Sequence, residues 1–288
     1  MVPHGMIRLI AIDIDGTLLD SAGQLPDRNR VAIEQAVARG VHVLLVTGRS
    51  FPFAVPVARQ LPAAVSLIVS NGAVERSQDG KTLASRLLPA AEASRLLTAT
   101  VPYRHCAALI FDREASGQIV ADTMDWEVPN RKPYWLRNRH LIARTSPLED
   151  ALTEDPVEVM FNGPVADMRV LAAHLAGLSG AFAVATTEYE DRDFTLLDVT
   201  HPGASKGQAL AWRANQLGLA PGEVMAIGDN LNDEEMLAFA GCPVLMANAV
   251  PALQGRPWAV TGSLDEAGVG QAIERYVLSD SGAGSPRG

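Results

Sequence analysis

The sequence predicts an α/β fold, a doubly wound, mostly parallel sheet with an inserted α+β domain. Three observations support this prediction. Apolar runs of strand length alternate with helical segments in the first third of the chain and again in the last third. The middle of the chain has shorter apolar runs and more polar breaks. Hydrophobic residues make up 48% of the 288 residues, which is enough to fill such a core.

In the first third, strands and helices alternate without interruption. Residues 7–14 are almost continuously apolar, which favours a strand buried on both faces. A helix at 26–39 should end at Gly40, because glycine commonly follows the last turn of a helix. The other elements are a strand at 41–46, a helix at 51–60 and a strand at 65–69. Single helices between strands imply parallel crossovers.

The last third repeats this alternation. A helix is expected at 205–217, with Ser205 as its N-cap and Gly218 after its last turn. The elements that follow are a strand at 224–227, a helix at 234–240, a strand at 244–246 and a closing helix at 264–278. The middle segment should contain strands at 107–111, 118–121, 157–161 and 181–186 and helices at 90–99 and 166–178. Few helices among several strands indicate an α+β domain.

The middle segment is predicted to be inserted into one discontinuous core domain, because the two flanking segments resemble each other more than either resembles the middle. The crossings should lie in the polar stretches 78–80 and 187–192. The assigned ranges are 1–82 and 193–278 for the core, 83–192 for the insertion and 279–288 for a tail of disordered composition.

The charge balance excludes some partners. The chain has 33 acidic and 24 basic residues and a net charge of −9, whereas binding to nucleic acid or an anionic membrane favours a basic excess. No stretch approaches the roughly 20 apolar residues of a membrane span. The two cysteines suggest neither a disulfide framework nor a metal cluster, so a reducing, cytoplasmic location is expected. The sequence leaves open whether the protein is a monomer or a dimer.

The segment Asp13-Ile14-Asp15-Gly16-Thr17 carries the strongest chemical signal. It follows the first apolar strand, and residues two apart on an extended chain point to the same side. Asp13 and Asp15 are thus aimed together at the carboxyl end of a strand, where ligands bind in open α/β sheets. Two close carboxylates repel each other unless a cation neutralises them, and such oxygen ligands suit Mg²⁺. A magnesium site is therefore predicted here.

Two weaker signals indicate a phosphate site. Thr47 and Gly48 follow the second strand, where a hydroxyl and free backbone amides can bind phosphate oxygens. Lys206 lies in the first turn of a helix, where a cation is unfavourable unless an anion is close. Each signal alone also fits an ordinary turn or a solvated lysine.

The segment 228–233, Gly-Asp-Asn-Leu-Asn-Asp, follows the strand at 224–227. Asp229 ends that strand as Asp13 ends the first, and Asp233 is one helical turn further on. These two carboxylates can hold a cation from the opposite side, and the amide of Asn232 can donate to a phosphate oxygen.

Together these motifs resemble those of the haloacid dehalogenase (HAD) superfamily, and within it the Cof-type phosphatases with a type C2B cap. The apolar run and DxDGT motif lie at residues 10–17, and the threonine after the next strand is Thr47 in Thr-Gly-Arg. Ser-Asn-Gly-Ala at 70–73 matches a further motif. The lysine motif G-x-S-K-G lies at 203–207, and GDxxND lies at 228–233. The resemblance implies a HAD-like Rossmannoid core with an inserted cap.

The resemblance also implies a role for each motif. Asp13 would attack phosphorus and become an aspartyl phosphate, and Asp15 would protonate the leaving oxygen and then activate water. Thr47 and Lys206 would hold phosphoryl oxygens. The implied ligands of Mg²⁺ are Asp13, the main-chain carbonyl of Asp15, Asp229 and, as a ligand or a support, Asp233. The expected activity is hydrolysis of phosphomonoesters of small metabolites, such as sugar phosphates.

Two other functions remain open at this point. A phosphotransferase or phosphomutase would use the same aspartyl chemistry and would reveal itself by a bisphosphate requirement. A phospho-accepting signalling module also places an Asp, a Thr and a Lys on a doubly wound sheet. It lacks a second aspartate two residues after the nucleophile and lacks a large insertion, so Asp15 and the middle segment disfavour it.

The insertion contains no comparably sharp motif. It has one cluster of aromatic and basic residues that could contact a ring or clamp a carboxylate or a second phosphate. A solvated loop with one packed tryptophan is the preferred explanation of the cluster, so no site residue is assigned there. Its members are Asp125, Trp126, Arg131, Lys132, Tyr134, Trp135, Arg137 and Arg139.

Overall fold

A computed structural model describes residues 6–189 and 192–279 and separates the chain into two compact units. The first unit is Met1–Ala84 with Ser205–Gly288, and the second is Ser85–Ala204. The second unit is thus inserted into the first along the chain. Of the tail expected at 279–288, all but Ser279 lies outside the described residues.

The elements follow one another along the chain in three groups. The first group is β1 (Leu9–Ile12), α1 (Asp27–Ala38), β2 (His42–Val46), α2 (Phe51–Ala58), β3 (Ser66–Val69), β4 (Val74–Arg76) and β5 (Thr82–Ser85). The second is α3 (Ala90–Ala99), β6 (Ala107–Ile110), β7 (Ile119–Ala121), α4 (Lys132–Asn138), β8 (Ile142–Arg144), β9 (Glu158–Gly163), α5 (Val165–Ala176), β10 (Ala183–Tyr189) and β11 (Phe194–Thr200). The third is α6 (Lys206–Gln216), β12 (Val224–Gly228), α7 (Glu234–Phe239), β13 (Cys242–Leu245), β14 (Ala259–Val260) and α8 (Gly268–Ile273).

The first unit is built on an eight-stranded sheet in the order β14-β13-β12-β1-β2-β3-β4-β5. The six strands from β14 to β3 are parallel, and β4 is antiparallel to β3. Helices α6 and α7 pack on one face through a core that includes Leu44, Leu210 and Met236. Every residue of β1 is buried, as expected for a strand covered on both faces. The mostly parallel α/β fold class is confirmed.

The second unit has a six-stranded sheet in the order β10-β11-β9-β6-β7-β8. All its pairs are antiparallel except β7 with β8. Helices α3 and α5 cover one face, where Leu96, Leu171 and Phe161 belong to a common core. The side chains alternate, so even-numbered residues of β9 and β11 lie on the other face.

The second domain boundary differs from the expected one. Residues 193–204 were expected in the core, but β11 pairs with β9 and β10 and so belongs to the second unit. The stretch 187–192 was expected to be a crossing, yet Tyr189 is still paired in β10; residues 190–191 lie outside the described ranges. The polar stretch 78–80 is the turn between β4 and β5 rather than a link between units.

The closing helix expected at 264–278 is interrupted. Leu264–Glu266 forms one 3₁₀ turn, and Ala267 adopts a left-handed conformation with φ 56° before α8 begins. The interruption lets Gly268 approach residue Gly262 so closely that a Cβ on Gly268 would lie 2.1 Å from the Gly262 carbonyl oxygen. Elements β4, β5, α4, β8, β11 and β14 were not predicted. In the described part of the chain, no helix has both the length and the apolar character to cross a bilayer.

Candidate active site

Three adjacent parallel strands end at the candidate site. Strand β1 lies between β12 and β2, so the residues that follow these strands share one edge of the sheet. Asp13 follows β1, Thr47 follows β2 and Asp229 follows β12. The backbone amide of Asp13 donates to the Ile227 carbonyl at 3.1 Å, and that of Thr47 to the Ile68 carbonyl at 2.9 Å. Strand pairing therefore fixes the backbone of both residues.

Lys206 links the two halves of the first unit. Ser205 caps α6 by accepting a hydrogen bond from the amide of Gln208 at 3.1 Å, which places Lys206 in the first turn. The Lys206 ammonium donates to Asp13 Oδ1 at 2.5 Å and to Asp233 Oδ1 at 2.6 Å. The side chain of Lys206 is 1% exposed, so its charge is balanced by these carboxylates rather than by water.

Asp233 is held from two sides. Its Oδ1 accepts from Lys206, and its Oδ2 accepts from the backbone amides of Asp229 and Asn230, each at 3.0 Å. It lies at the end of a 3₁₀ turn, Leu231–Asp233, and is completely buried. Both carboxylate oxygens are therefore engaged in fixing the loop after β12.

Asp229 is positioned by the DxDGT segment. Thr17 donates from its hydroxyl to Asp229 Oδ1 at 2.7 Å. Gly16 has φ +84°, and a Cβ there would lie 2.3 Å from Asp229 Oδ2. Glycine is thus required at this position both by the backbone conformation and by the close approach of Asp229.

Burial and charge repulsion change the pKa values of this cluster. Burial, followed by repulsion from Asp233, raises the pKa of Asp13 well above its usual range, although Lys206 acts in the opposite direction. Burial also raises the pKa of Asp229, to about 6. For Lys206, burial alone would lower the pKa, but Asp13 and Asp233 together raise it above the usual value. One ammonium therefore does not fully offset the three carboxylates.

The residues fit a divalent cation. Among the described residues, Asp13, Asp229 and Asp233 form a group whose carboxylate oxygens lie within 4.8 Å of one another. All three residues are buried, and burial raises the pKa values of Asp13 and Asp229, so a cation beside these carboxylates would favour their ionised forms. Carboxylate oxygens suit Mg²⁺ and other hard cations.

Asp15 points to a different partner. Its two carboxylate oxygens accept from Arg49 Nε at 2.8 Å and Nη2 at 2.6 Å, a bidentate pair. Arg49 also donates to the Phe53 carbonyl at 3.2 Å, so α2 helps to orient the guanidinium. The side chain of Asp15 is 61% exposed, and its carboxylate is outside the group of three.

The expected phosphate-binding residues lie beside the carboxylates. Thr47 is 1% exposed, and its hydroxyl accepts from the Arg49 amide at 3.1 Å. The Asn232 amide donates to Asn71 Oδ1 at 3.2 Å, and a Cβ on Gly48 would lie 3.0 Å from the same oxygen. Thr47, Gly48 and Asn232 thus meet around Asn71.

Sequence reasoning assigned no role to Arg49, Thr17, Asn71 or Asn248. Thr17 and Arg49 belong to the DxDGT and Thr-Gly-Arg motifs, so the sequence did indicate that they lie near the site. Asn248 donates to the Gly16 carbonyl at 2.8 Å and accepts from the Leu264 amide at 2.9 Å. No pattern around Asn248 in the sequence indicates this contact.

Comparisons with known proteins identify the family of this chain. A family model described as haloacid dehalogenase-like hydrolase matches residues 10–273. An HMP-PP phosphatase of Serratia proteamaculans is 30% identical over 95% of this chain and 97% of its own length. The chain also matches the chloroplastic endoribonuclease YBEY of Arabidopsis thaliana at 27% identity, over 93% of this chain but only 46% of that protein.

A solved structure gives the same fold. A HAD-superfamily phosphatase of Bacteroides thetaiotaomicron superposes with a TM-score of 0.78 at 22% identity, over 96% of this chain and 98% of that one. The family match covers both segments of the first unit and the whole insertion. The chain therefore belongs to the haloacid dehalogenase-like hydrolase family and is a hydrolase of the phosphatase type.

Proposed function

We propose that the protein is a magnesium-dependent phosphatase that hydrolyses phosphomonoesters of small metabolites, sugar phosphates or similar compounds, through an aspartyl phosphate on Asp13. The observation that carries the proposal is the buried contact of Lys206 with Asp13 and Asp233, beside Thr47 and Asp229. The name of the HMP-PP phosphatase relative supports a small phosphorylated substrate.

In the first step, a carboxylate oxygen of Asp13 forms a bond to phosphorus while the bond from phosphorus to the ester oxygen breaks. Asp15 transfers its proton to the departing oxygen. Lys206 fixes one oxygen of Asp13 and offsets charge near the phosphoryl group, and Thr47 donates to a phosphoryl oxygen. The first step thus depends on positioning and charge, as phosphoryl transfer generally does.

In the second step, water attacks phosphorus and the bond to Asp13 breaks, which releases inorganic phosphate. Asp15, now ionised, accepts the proton of the attacking water. Asp13, Asp229 and the carbonyl of Asp15 would hold Mg²⁺, and Asp233 would support the site, because both its oxygens already accept hydrogen bonds. When bound, Mg²⁺ would supply positive charge next to the transferred group.

The decisive experiment is a phosphate-release screen over a panel of phosphorylated metabolites, with and without Mg²⁺. Wild-type protein should release phosphate from some of them only with the metal, and its Asp13 peptide should gain the mass of one phosphoryl group. Asp13→Asn should lose at least about 10⁴-fold in turnover and gain no mass. Full activity of Asp13→Asn would disprove the mechanism. A strict bisphosphate requirement would indicate a mutase instead.

The role of Asp15 has its own test. An acid is needed most when the leaving oxygen is strongly basic, so Asp15→Asn should impair alkyl phosphates far more than a nitrophenyl phosphate. If Arg49 serves to position Asp15, Arg49→Gln should show the same leaving-group dependence. Equal losses on both substrates would instead assign Arg49 to phosphate binding.

The remaining proposals follow from the family. The second unit would be the cap domain that the resemblance implies, with substrate selectivity drawn from its residues.

The expected cytoplasmic location is supported by the two cysteines, Cys106 and Cys242, which are both free and buried.

A further inference from the structure

Arg131 in the second unit is a buried cation that forms no ion pair with any of the described residues. The residue is 6% exposed. Its guanidinium donates to Asn162 Oδ1 at 2.5 Å, to the Asn162 carbonyl at 2.7 Å and to the Asp125 carbonyl at 3.2 Å. All three acceptors are neutral, and no carboxylate of the described residues pairs with it.

This arrangement is energetically unfavourable unless something else compensates it. Removing an ion from water is energetically unfavourable, and hydrogen bonds to neutral acceptors offset only part of that penalty. Burial lowers the pKa of Arg131, although the nearby Asp125 carboxylate acts in the opposite direction. A guanidinium has five N–H donors, and three are used here, so two are left to bind a further acceptor.

Arg131 lines a cavity of about 150 Å³. The other walls include Tyr103, His105, Gly163 and Asp167. A Cβ on Gly163 would lie 3.6 Å from Arg131 Nη2, so glycine leaves the guanidinium open on that side. The volume is well below the roughly 300 Å³ at which pockets for drug-sized ligands begin, so the occupant is a small group.

The preference of the cavity for an anion depends on Arg131. Gly163 and Pro164, just before helix α5, line the cavity, but the helix N-terminus already has an anionic partner, because the Val165 amide donates to Asp193 Oδ1 at 2.9 Å. His105 can add a donor. The carboxylate of Asp167 is exposed at the same cavity and opposes an anion.

We propose that this cavity binds a small oxyanion of the phosphate type, with the Arg131 guanidinium as its main ligand. A planar guanidinium matches the spacing of two oxygens on a phosphate or a carboxylate. The site lies entirely in the second unit and requires no residue of the phosphatase mechanism, so it can be tested independently of the proposed activity.

The test is a titration of the full chain with inorganic phosphate, read from the backbone amide signals of Gly163 and Asp167 in ¹H–¹⁵N spectra. We expect saturable shifts in the millimolar range. Sulfate should reproduce them if any tetrahedral oxyanion is accepted, and acetate should reproduce them if a carboxylate is the better ligand. A shift that grows linearly without saturation means an adventitious ion only and overturns the proposal.

Two substitutions with opposite expected effects on phosphate affinity test whether binding occurs at this cavity. Arg131→Lys keeps the positive charge but loses the planar guanidinium that can bind two oxygens at once, so binding should weaken by at least about tenfold. Asp167→Asn removes the opposing charge at an exposed position, so binding should tighten about twofold to fivefold. If Arg131→Lys does not fold, the Asp167→Asn result alone decides. The matched control is Arg139→Lys, an exposed arginine near the ring of Trp135, which should change nothing. Unchanged affinity in Asp167→Asn would contradict the site.

Discussion

In the first unit the buried ammonium of Lys206 contacts two carboxylates, whereas in the second unit the buried guanidinium of Arg131 contacts none among the described residues. The second unit also contains the reverse case. Glu158 and Asp198 are half-buried on neighbouring strands β9 and β11, and no cation of the described chain pairs with either. Arg131, Glu158 and Asp198 of the second unit thus lack the charged partners that Lys206 has in the first.

This difference in charge pairing predicts which solution conditions affect each unit. In the first unit, three carboxylates face one ammonium, so the remaining imbalance is negative and suits a cation. In the second, burial and the neighbouring carboxylate raise the pKa of Glu158 well above its usual range, and burial raises that of Asp198 to about 7. Unpaired charges of this kind should make the second unit sensitive to pH and to anions.

The largest effect is expected from removing the paired cation. Lys206→Met leaves Asp13 and Asp233 buried without their cationic partner, so the free energy of unfolding in urea should fall by about 3–5 kcal/mol. Turnover should fall about 10³-fold, because charge next to the phosphoryl group is lost. The exposed Lys81 of the same unit provides the control, and Lys81→Met should change neither quantity appreciably.

Adding Asp233→Asn to Lys206→Met should restore part of the lost stability but no turnover. The double variant has one buried negative charge fewer, while the amide groups that Asp233 caps can still donate to the asparagine oxygen. Equal stability of wild type and Lys206→Met would show that this buried cluster is not held together by charge.

The next largest effect on stability is expected from a cation that binds to the three carboxylates, whose charge Lys206 only partly neutralises. Mg²⁺ should raise the free energy of unfolding by about 2.7 kcal/mol at a hundredfold excess over its dissociation constant. Asp229→Asn should abolish this gain, although Thr17 can still donate to the asparagine oxygen. The matched control, Asp265→Asn, changes an exposed aspartate and should retain the gain. Chelator-treated protein that is unaffected by Mg²⁺ would argue against the metal site.

In the second unit the corresponding experiment is a change of pH. The pKa of Asp198 is about 7 in the folded protein and near 3.8 when unfolded. Between these values the unfolded chain releases the proton and the folded chain retains it, so stability should fall as pH rises from 4 to 7. Glu158, whose pKa is also raised, should add to this fall. Asp198→Asn should flatten this slope and stabilise the protein at pH 8 by about 1–2 kcal/mol.

The exposed Asp150 in the same unit supplies the comparison for that measurement. Asp150→Asn should leave the slope unchanged. If both variants show the wild-type slope, Asp198 is not the group that makes the second unit sensitive to pH. Unfolding in urea at a series of pH values measures all three proteins.

The parallel core was accessible from sequence because buried strands are continuous apolar runs that end at turn residues. Strands β1, β2, β3 and β12 were each located within two residues of their observed ends. Residues 194–200 were assigned to the core and no strand was predicted there, because the partners of β11, strands β9 and β10, are determined by tertiary pairing. The left-handed Ala267 that interrupts the closing helix depends on packing between Gly262 and Gly268, which no local pattern encodes.

For the candidate site, the residues that follow the strands could be predicted from the sequence, but the hydrogen-bond partners of their side chains could not. Asp13, Thr47 and Asp229 could be brought together because parallel strands share one edge. The pair of Asp15 with Arg49 spans 34 residues and depends on how α2 orients the guanidinium. Arg131 was noticed as part of a basic cluster, but its burial against Asn162 required the structure.

The smallest effect should come from an exposed ion pair. Arg28 and Glu274 form a bidentate pair in the first unit, with contacts of 2.6 and 3.0 Å, but their side chains are 49% and 43% exposed. Arg28→Gln keeps most of the side-chain stem, so the free energy of unfolding should fall by no more than about 0.5 kcal/mol, and by less at high salt. Urea unfolding at two salt concentrations measures this difference. A loss as large as that of Lys206→Met would mean that burial is not what separates strong from weak charge pairs in this protein, and the contrast between its two units would lose its physical basis.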